Sequence, residues 1–89
     1  MIREPVTIIN KLGLHARASA KLNALAQTFE ARITLEREGQ QADAKSIMSI
    51  MMLAASKGTE IALEVEGPDE EAAFAAIRQL IDNRFDEGE

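Results

Sequence analysis

The chain contains no cysteine, tryptophan or tyrosine, and its 89 residues include one histidine and three phenylalanines. Without cysteine the protein has no disulfide, no thiolate zinc site and no thiol nucleophile, a composition that fits a reducing cytosol. A single histidine cannot build a metal site on its own, so we expect neither a metal nor a cofactor. Three aromatic side chains also argue against a platform for stacking nucleic-acid bases.

Acidic residues outnumber basic residues. Ten Lys and Arg against fifteen Asp and Glu give a net charge of −5, which argues against a nucleic-acid partner. The longest apolar runs cover residues 50–55 and 72–77, far short of the roughly 20 residues of a membrane helix. The start of the chain is interrupted by Glu4 and Pro5 and does not resemble an export signal. We therefore expect a cytoplasmic protein without membrane insertion.

Apolar periodicity predicts one domain over residues 1–89 with the element order β-α-β-β-α-β-α. The predicted strands cover 6–9, 32–37, 40–44 and 60–66, and the predicted helices cover 16–28, 47–53 and 68–81. We place Pro5 at the start of the first strand and Pro68 at the first position of the last helix. From residue 82 we expect an acidic tail. One-sided alternation in the strands predicts an α+β open-faced β-sandwich, a four-stranded, largely antiparallel sheet with three helices on one face.

The only histidine, His15, stands between a glycine-bearing loop and the first predicted helix. A helix N-terminus offers unpaired amides to an anion, here those of Ala16, Arg17 and Ala18, and the Arg17 guanidinium could grip the same anion. Neutral imidazole is a nucleophile that accepts a phosphoryl group. Two plainer readings stay open, a capping histidine without chemistry and an Arg17 engaged in a tertiary ion pair.

Ser46 precedes a methionine-rich apolar segment and is a favoured helix N-cap residue. A phosphate on Ser46 would add a charge of about −1.5 to −2. The helix N-terminus tolerates this charge, whereas an acidic surface of a partner would be repelled by it. Helical geometry turns Ile50 and Leu53 toward the sheet. The segment has too many apolar residues for one narrow stripe, so either some stay exposed for partners or all are core.

Two segments together resemble the signatures of the HPr family, the histidine phosphocarriers of the sugar phosphotransferase system. Residues 10–17, NKLGLHAR, are similar to the family's active-site signature, and residues 45–48, KSIM, to the signature around its regulatory serine. The separation of the two segments, the chain length and the predicted element order also agree with the family.

The resemblance implies a role for each matching residue. His15 would accept phosphate on Nδ1 from phosphorylated Enzyme I and pass it to an EIIA-type acceptor, while Arg17 would screen the charge. Ser46 would be the substrate of an HPr kinase/phosphorylase where the organism has one. Ile47, Met48 and Met51 would be the exposed docking residues. We expect a carrier that is not an enzyme by itself, and a monomer suits a shuttle that exposes one face to successive partners.

The chain departs from the family pattern at three positions. Ala18 and Ser19 stand where the family usually has Pro and Ala, and Ala54 stands where many members have Gly. These differences favour a divergent, nitrogen-type regulatory branch. Two alternatives remain at this point: a regulatory module that acts by partner binding and phosphorylation state, and a small ligand-binding α+β domain.

Overall fold

Alternating apolar residues in the strands and apolar stripes on the helices meet in one core. The computed structural model describes residues 1–88, in the order β-α-β-β-α-β-α. The strands are β1 Ile2–Thr7, β2 Arg32–Arg37, β3 Gln40–Asp43 and β4 Glu60–Glu66; the helices are α1 Ala16–Ala26, α2 Ile47–Met52 and α3 Glu70–Asp82. The fold class predicted from the sequence, an α+β open-faced sandwich, is confirmed. No helix in this part of the chain has the length and apolar character needed to cross a membrane.

The sheet is antiparallel throughout, with strand order β1-β4-β2-β3. In the central pair Leu35 lies opposite Leu63 and Ile33 lies opposite Val65, and all four side chains are buried. Side chains alternate between the two faces of a strand, so this register places every inward residue of both strands under the helices.

β1 begins earlier than the sequence prediction of residues 6–9. It runs from Ile2 to Thr7, and Pro5 lies inside it, opposite Ala62 of β4. The placement of Pro5 at the start of the strand was therefore wrong. β1 is an edge strand, where alternate N–H groups point away from the sheet, so a proline can sit inside it without removing a ladder bond.

The helices bury the stripes that their periodicity predicts. In α1, Ala18 and Leu22 are fully buried, although the helix ends at Ala26 and not at residue 28. Ile50 of α2 and the C-cap residue Leu53 are buried as predicted, which leaves the rest of this short helix free of the core.

The start of α3 differs from the sequence prediction. Its N-cap is Asp69 and its first helical residue is Glu70, so Pro68 precedes the helix and is not its first residue. Asp69 makes no capping bond to its own helix; its carboxylate accepts hydrogen bonds of 2.9 Å from the amides of Glu30 and Ala31. These bonds, above all the one from Glu30, lower the pKa of Asp69 below its ordinary value. The carboxylate thus joins α3 to the connection before β2.

The sequence predicted a polar, acidic tail from residue 82, and within it the chain forms a turn. Arg84, Phe85 and Asp86 form a C-terminal turn with left-handed φ angles of 55°, 54° and 62°. Phe85 is completely buried, and its carbonyl accepts a hydrogen bond of 2.8 Å from Lys21 Nζ. The burial of one aromatic ring inside a polar segment therefore fixes the path of the chain beyond α3.

Ala54 adopts a left-handed φ of 52° just after the last residues of α2. Helices often end with glycine in this conformation, because a Cβ atom makes it unfavourable. Arg37 donates hydrogen bonds of 2.8 and 3.1 Å to the carbonyls of Leu53 and Ala54, which hold the strained turn in place.

We predict that Ala54→Gly raises the free energy of unfolding by about 0.5–1 kcal/mol. Relief of left-handed strain is worth about 1–2 kcal/mol, and the extra freedom of glycine in the unfolded chain takes back about 0.4–1 kcal/mol. Urea unfolding measures the difference. Ala75→Gly is the control, since Ala75 is exposed inside α3 and the same change there costs about 1 kcal/mol. Equal losses in both variants would contradict the prediction.

Candidate functional site

The loop before α1 is held by contacts to the segment that follows α2. Gly13 has a left-handed φ of 65°, and its amide donates to the carbonyl of Asn10 at 3.2 Å. The amide of Leu14 donates to the carbonyl of Ala55 at 2.8 Å, and Leu14 itself is buried. The loop therefore delivers the next residue, His15, to one fixed place.

His15 is the N-cap residue of α1. Its backbone is extended, and its carbonyl accepts the first helical bond from Ser19 at 2.9 Å. Its ring Nδ1 accepts the amide of Arg17 at 3.1 Å and, more weakly, the amide of Ala18 at 3.5 Å. An atom that accepts N–H groups carries a lone pair and no proton. The predicted position of His15 at the helix N-terminus is confirmed, and the structure adds that Nδ1 is the atom facing the amides.

The opposite side of the ring meets a carboxylate that the sequence analysis missed. His15 Nε2 lies 2.7 Å from Glu87 Oε2, although the approach is not aligned as a hydrogen bond. The other oxygen of Glu87 accepts a hydrogen bond of 3.2 Å from the side-chain Nδ2 of Asn10. The same Nδ2 also donates to the Gly13 carbonyl at 2.8 Å. Nothing in the sequence pattern links residue 87 to residue 15; the only sign was a phenylalanine within a polar tail.

Arg17 is exposed, and among residues 1–88 its guanidinium has no ion-pair partner. This excludes, for the described residues, the tertiary ion pair left open by the sequence. A shallow cavity of about 340 Å³ lies beside the ring and is lined by Lys11, Leu12, His15, Arg17, Asp86 and Glu87. The cavity combines a nucleophilic nitrogen with two basic side chains, which suits an anion, and the two carboxylates limit the charge it accepts.

The residues predicted to hold phosphate divide into two groups. The amides of Arg17 and Ala18 point at Nδ1, whereas Ala16 is exposed and is the first residue of the helix. Another surface depression, about 490 Å³ around residues 67–72, shares no residue with this site. Its side chains include three carboxylates and no basic group, which disfavours binding of an anion.

The second predicted region lies on α2 and does not line the cavity beside His15. Ser46 caps the helix, since its Oγ accepts the amide of Ser49 at 3.3 Å. Four apolar side chains of α2 are exposed and form what we call the α2 patch, namely Ile47, Met48, Met51 and Met52. The predicted exposure of the first three is confirmed, and Met52, 66% exposed, extends the patch.

Comparison with known proteins identifies the family. The model of the family described as "PTS HPr component phosphorylation site" matches residues 2–83. The chain belongs to the HPr family. It is 57% identical to the phosphocarrier protein HPr of Cupriavidus necator over 89 residues, all of both chains. It is also similar to an HPr crystal structure from Thermoanaerobacter tengcongensis, with TM-score 0.94, 41% identity and 98% of each chain covered.

Membership of the HPr family determines the general role of the protein. It is a phosphoryl carrier of the phosphotransferase system and not an enzyme in its own right. The family's partners are other phosphotransferase proteins. A second structure from T. tengcongensis, with TM-score 0.77 and 41% identity over 96% of this chain and 98% of that one, is an HPr dimer, so the family includes dimeric forms.

We predict that Gly13→Ala lowers the free energy of unfolding by about 2–5 kcal/mol, combining left-handed strain with overpacking. A Cβ on Gly13 would lie 2.4 Å from the Ala55 carbonyl oxygen, and backbone cannot yield cheaply. Gly39→Ala is the matched control: φ there is also left-handed, at 86°, but nothing lies within 4 Å of the added atom. Denaturant unfolding and the NMR shifts of His15 compare the two variants. An equal effect at both positions would show that the close approach is unimportant.

Proposed function

We propose that His15 is the phosphoryl acceptor and that Nδ1 is the atom phosphorylated. The observation that carries this proposal is the lone pair of Nδ1, which faces the amides of Arg17 and Ala18 at the open end of α1. The side chain is 24% exposed, so a donor can reach it. An imidazole in this position can take up a phosphoryl group and give it back, which is what a carrier requires.

The helix N-terminus supplies most of the anion binding. Once phosphorus is bonded to Nδ1, its oxygens lie where the amides of Ala16, Arg17 and Ala18 can donate to them in place of the ring nitrogen. The dipole contribution is about 0.3–1 kcal/mol, rising to about 2 kcal/mol in a partly buried site. Such modest binding suits a carrier, because a phosphate held too tightly could not be passed on.

Arg17 provides the mobile charge. Its guanidinium is exposed and has no ion-pair partner among residues 1–88, so it can turn toward the phosphoryl oxygens without breaking an existing pair. Stabilisation of the transferring group by a positioned cation is the main contribution that a protein makes to phosphoryl transfer. We assign Arg17 this role during both receipt and release.

Phosphorylated Enzyme I is the proposed donor and an EIIA-type protein the proposed acceptor, in keeping with the family. A monomer is the form we propose for the carrier, because one exposed surface must serve successive partners. We expect the exchange to take place in the cytoplasm, the compartment consistent with the family.

The α2 patch is the proposed docking surface for these partners, with Ile47, Met48 and Met51 as its contact residues. Met48 is 73% exposed, and flexible methionine side chains adapt to more than one partner. The patch is adjacent to the His15 loop, because the segment that follows α2 is bonded to Leu14 through the Ala55 carbonyl. A partner seated on the patch would therefore bring its own site close to the ring.

Ser46 is the proposed regulatory phosphorylation site, the target of an HPr kinase/phosphorylase where one is present. Its hydroxyl caps α2 and lies at the head of the patch. A phosphate at a helix N-terminus is tolerated by the helix itself. The added negative charge would instead weaken docking of a partner whose surface is acidic, with little change in the fold.

Incubation with Enzyme I and phosphoenolpyruvate tests the role of His15. We predict that the intact mass rises by one phosphoryl group, which is lost in acid and stable in alkali, as expected for phosphate on a ring nitrogen. His15→Asn keeps a favoured N-cap residue but has no nucleophilic ring, so its mass should not change. Arg17→Met should still be phosphorylated, about 10–100-fold more slowly, since hydrogen bonds to charged groups are worth about 1.5–3 kcal/mol.

Retained circular dichroism and melting temperature in His15→Asn show that any loss of phosphorylation is chemical. Phosphate on His15→Asn, or no phosphate on the wild-type chain with an active donor, would contradict the assignment. A variant that still binds its partners while losing phosphate separates the carrier role from a module that acts only by binding.

Charge at the head of α2 can be varied without loss of the cap. We predict that Ser46→Asp raises the KM for transfer from Enzyme I at least about tenfold relative to Ser46→Asn, whereas kcat changes little. Asp and Asn are equally good N-caps and differ only in charge, so their melting temperatures should agree. Because exposed charges are screened, added salt should reduce the gap between the two variants. The same KM for both variants would contradict the proposal that partners dock on the α2 patch next to Ser46.

A further inference from the structure

We propose that Glu87 is a positioning residue for His15: with Asn10 behind it, its carboxylate keeps the ring proton on Nε2 and leaves Nδ1 free to bond to phosphorus. This inference rests on the proposed role of His15. It adds a residue, and a turn of the chain, that the resemblance did not assign.

The geometry carries the first step. Glu87 Oε2 lies 2.7 Å from Nε2, and the side chains of Glu87 and His15 are only 13% and 24% exposed. Two unprotonated atoms, each with a lone pair, repel at such a distance, so one of the two carries a proton. Nδ1 accepts amides from Arg17 and Ala18, so the proton belongs to the opposite nitrogen. Both sides of the ring therefore select the same tautomer.

The carboxylate is itself held in place. Asn10 is fully buried, and its Nδ2 donates to Glu87 Oε1 at 3.2 Å and to the Gly13 carbonyl at 2.8 Å. One amide thus joins the loop that carries His15 to the residue that contacts the back of the ring. The arrangement Asn10–Glu87–His15 resembles a support commonly found behind functional histidines, a carboxylate that orients the ring.

The movement of electrons during transfer shows what Glu87 does. The lone pair of Nδ1 forms the bond to phosphorus, and the bond from phosphorus to the donor breaks with its electron pair left on the donor. The proton stays on Nε2, so the ring becomes a cation 2.7 Å from Glu87. When the phosphoryl group leaves, the pair returns to Nδ1 and the ring is neutral again. No proton is gained or lost, and the charge that appears faces a carboxylate.

The misaligned approach of Glu87 fits this role. In the unphosphorylated protein, the contact is close but lacks the geometry of a hydrogen bond. Catalytic hydrogen bonds are often poorly aligned in the resting state and tighten when charge develops. A carboxylate that tightens only on the cationic ring stabilises the phosphorylated form more than the free form.

The path of the chain supports a positioning role. Glu87 follows the C-terminal turn, where Arg84, Phe85 and Asp86 all have left-handed φ. Left-handed residues other than glycine persist only where surrounding contacts hold them, and they concentrate at functional sites. The buried Phe85 ring and the bond from Lys21 to its carbonyl hold this turn and bring the next residue to the histidine.

The variant that tests the proposal is Glu87→Gln, which keeps size and shape but removes the charge. A glutamine can present either its oxygen or its NH₂ group to Nε2, so it no longer fixes the tautomer. We expect kcat for transfer from Enzyme I to fall about 10–100-fold, the usual range for loss of a carboxylate behind a functional histidine. KM should stay within about twofold, since Glu87 does not lie on the α2 patch.

Ring ¹⁵N NMR at a pH of about 8, where free imidazole is neutral, provides a readout that a merely structural role would not change. In the wild-type chain, Nδ1 should show the shift of an unprotonated nitrogen and Nε2 that of a protonated one. In Glu87→Gln the two shifts should move toward each other as the second tautomer is populated. An unchanged pair of shifts would overturn the proposal.

Asp86→Asn is the matched control. It removes the same charge from the same cavity without touching the ring, and asparagine tolerates the left-handed φ of 62°. Equal rates for the two variants would show that only the general charge of the cavity matters, and faster transfer in Glu87→Gln would show that the carboxylate is a barrier. Either result refutes the positioning role. If the wild-type chain itself takes up no phosphate on His15, the proposed function fails first, and the two failures are thereby distinguished.

Discussion

The site depends on one interaction, the hydrogen bonds that the first amides of α1 donate to the ring of the residue capping that helix. A helix usually satisfies these amides with a serine, threonine or aspartate oxygen, and here the acceptor is His15 Nδ1. In the proposed function that nitrogen is both the cap and the nucleophile, so its lone pair already points to where amides can receive the phosphoryl oxygens. The glycine turn at Gly13, the contact of the loop with Ala55 and the first turn of α1 all serve to keep that geometry.

Charge around the ring is divided between opposite sides. Arg17 and the helix amides lie on the side of Nδ1, where the proposed function brings negative charge, and Glu87 lies on the side of Nε2, where the phosphorylated ring of that proposal would carry positive charge. The protein as a whole carries a net charge of −5, so binding of an anion relies on this local arrangement and not on the overall field. Under that proposal, separation of the two charges across one small ring would keep the phosphorylated state accessible without making it so stable that transfer onward stops.

The fold could be predicted from the sequence because its information is local and periodic. Alternation in residues 60–66 and the apolar stripe of α1 fixed element types, and Ser46 marked the start of α2. His15 and Arg17 could be proposed as site residues for the same reason, since both belong to one short segment. Glu87 was missed because its contact with His15 arises from the fold: the two residues are 72 positions apart in the chain, and no spacing rule connects them. Asn10 lies in the same segment as His15, but its bond to Glu87 arises from the fold in the same way. Pro5 and Pro68 were misplaced because the local preferences of proline do not reveal the surrounding structure. Pro5 lies in an edge strand, and the N-cap of α3 is Asp69.

Among residues 1–88, four of the five residues other than glycine with left-handed φ lie near the same loop, and the fifth, Glu38, lies between β2 and β3. A left-handed alanine at position 54 precedes the residue whose carbonyl holds Leu14, and three left-handed residues precede Glu87. Each such residue costs roughly 1–2 kcal/mol, and in both places side-chain hydrogen bonds to backbone carbonyls, from Arg37 and from Lys21, hold the turn. Strain on the two chain segments that pack against the His15 loop is what would be expected if the ring has to be held in one orientation from both sides. A histidine that merely capped a helix would need neither turn, because the two amides and Gly13 would be sufficient for that.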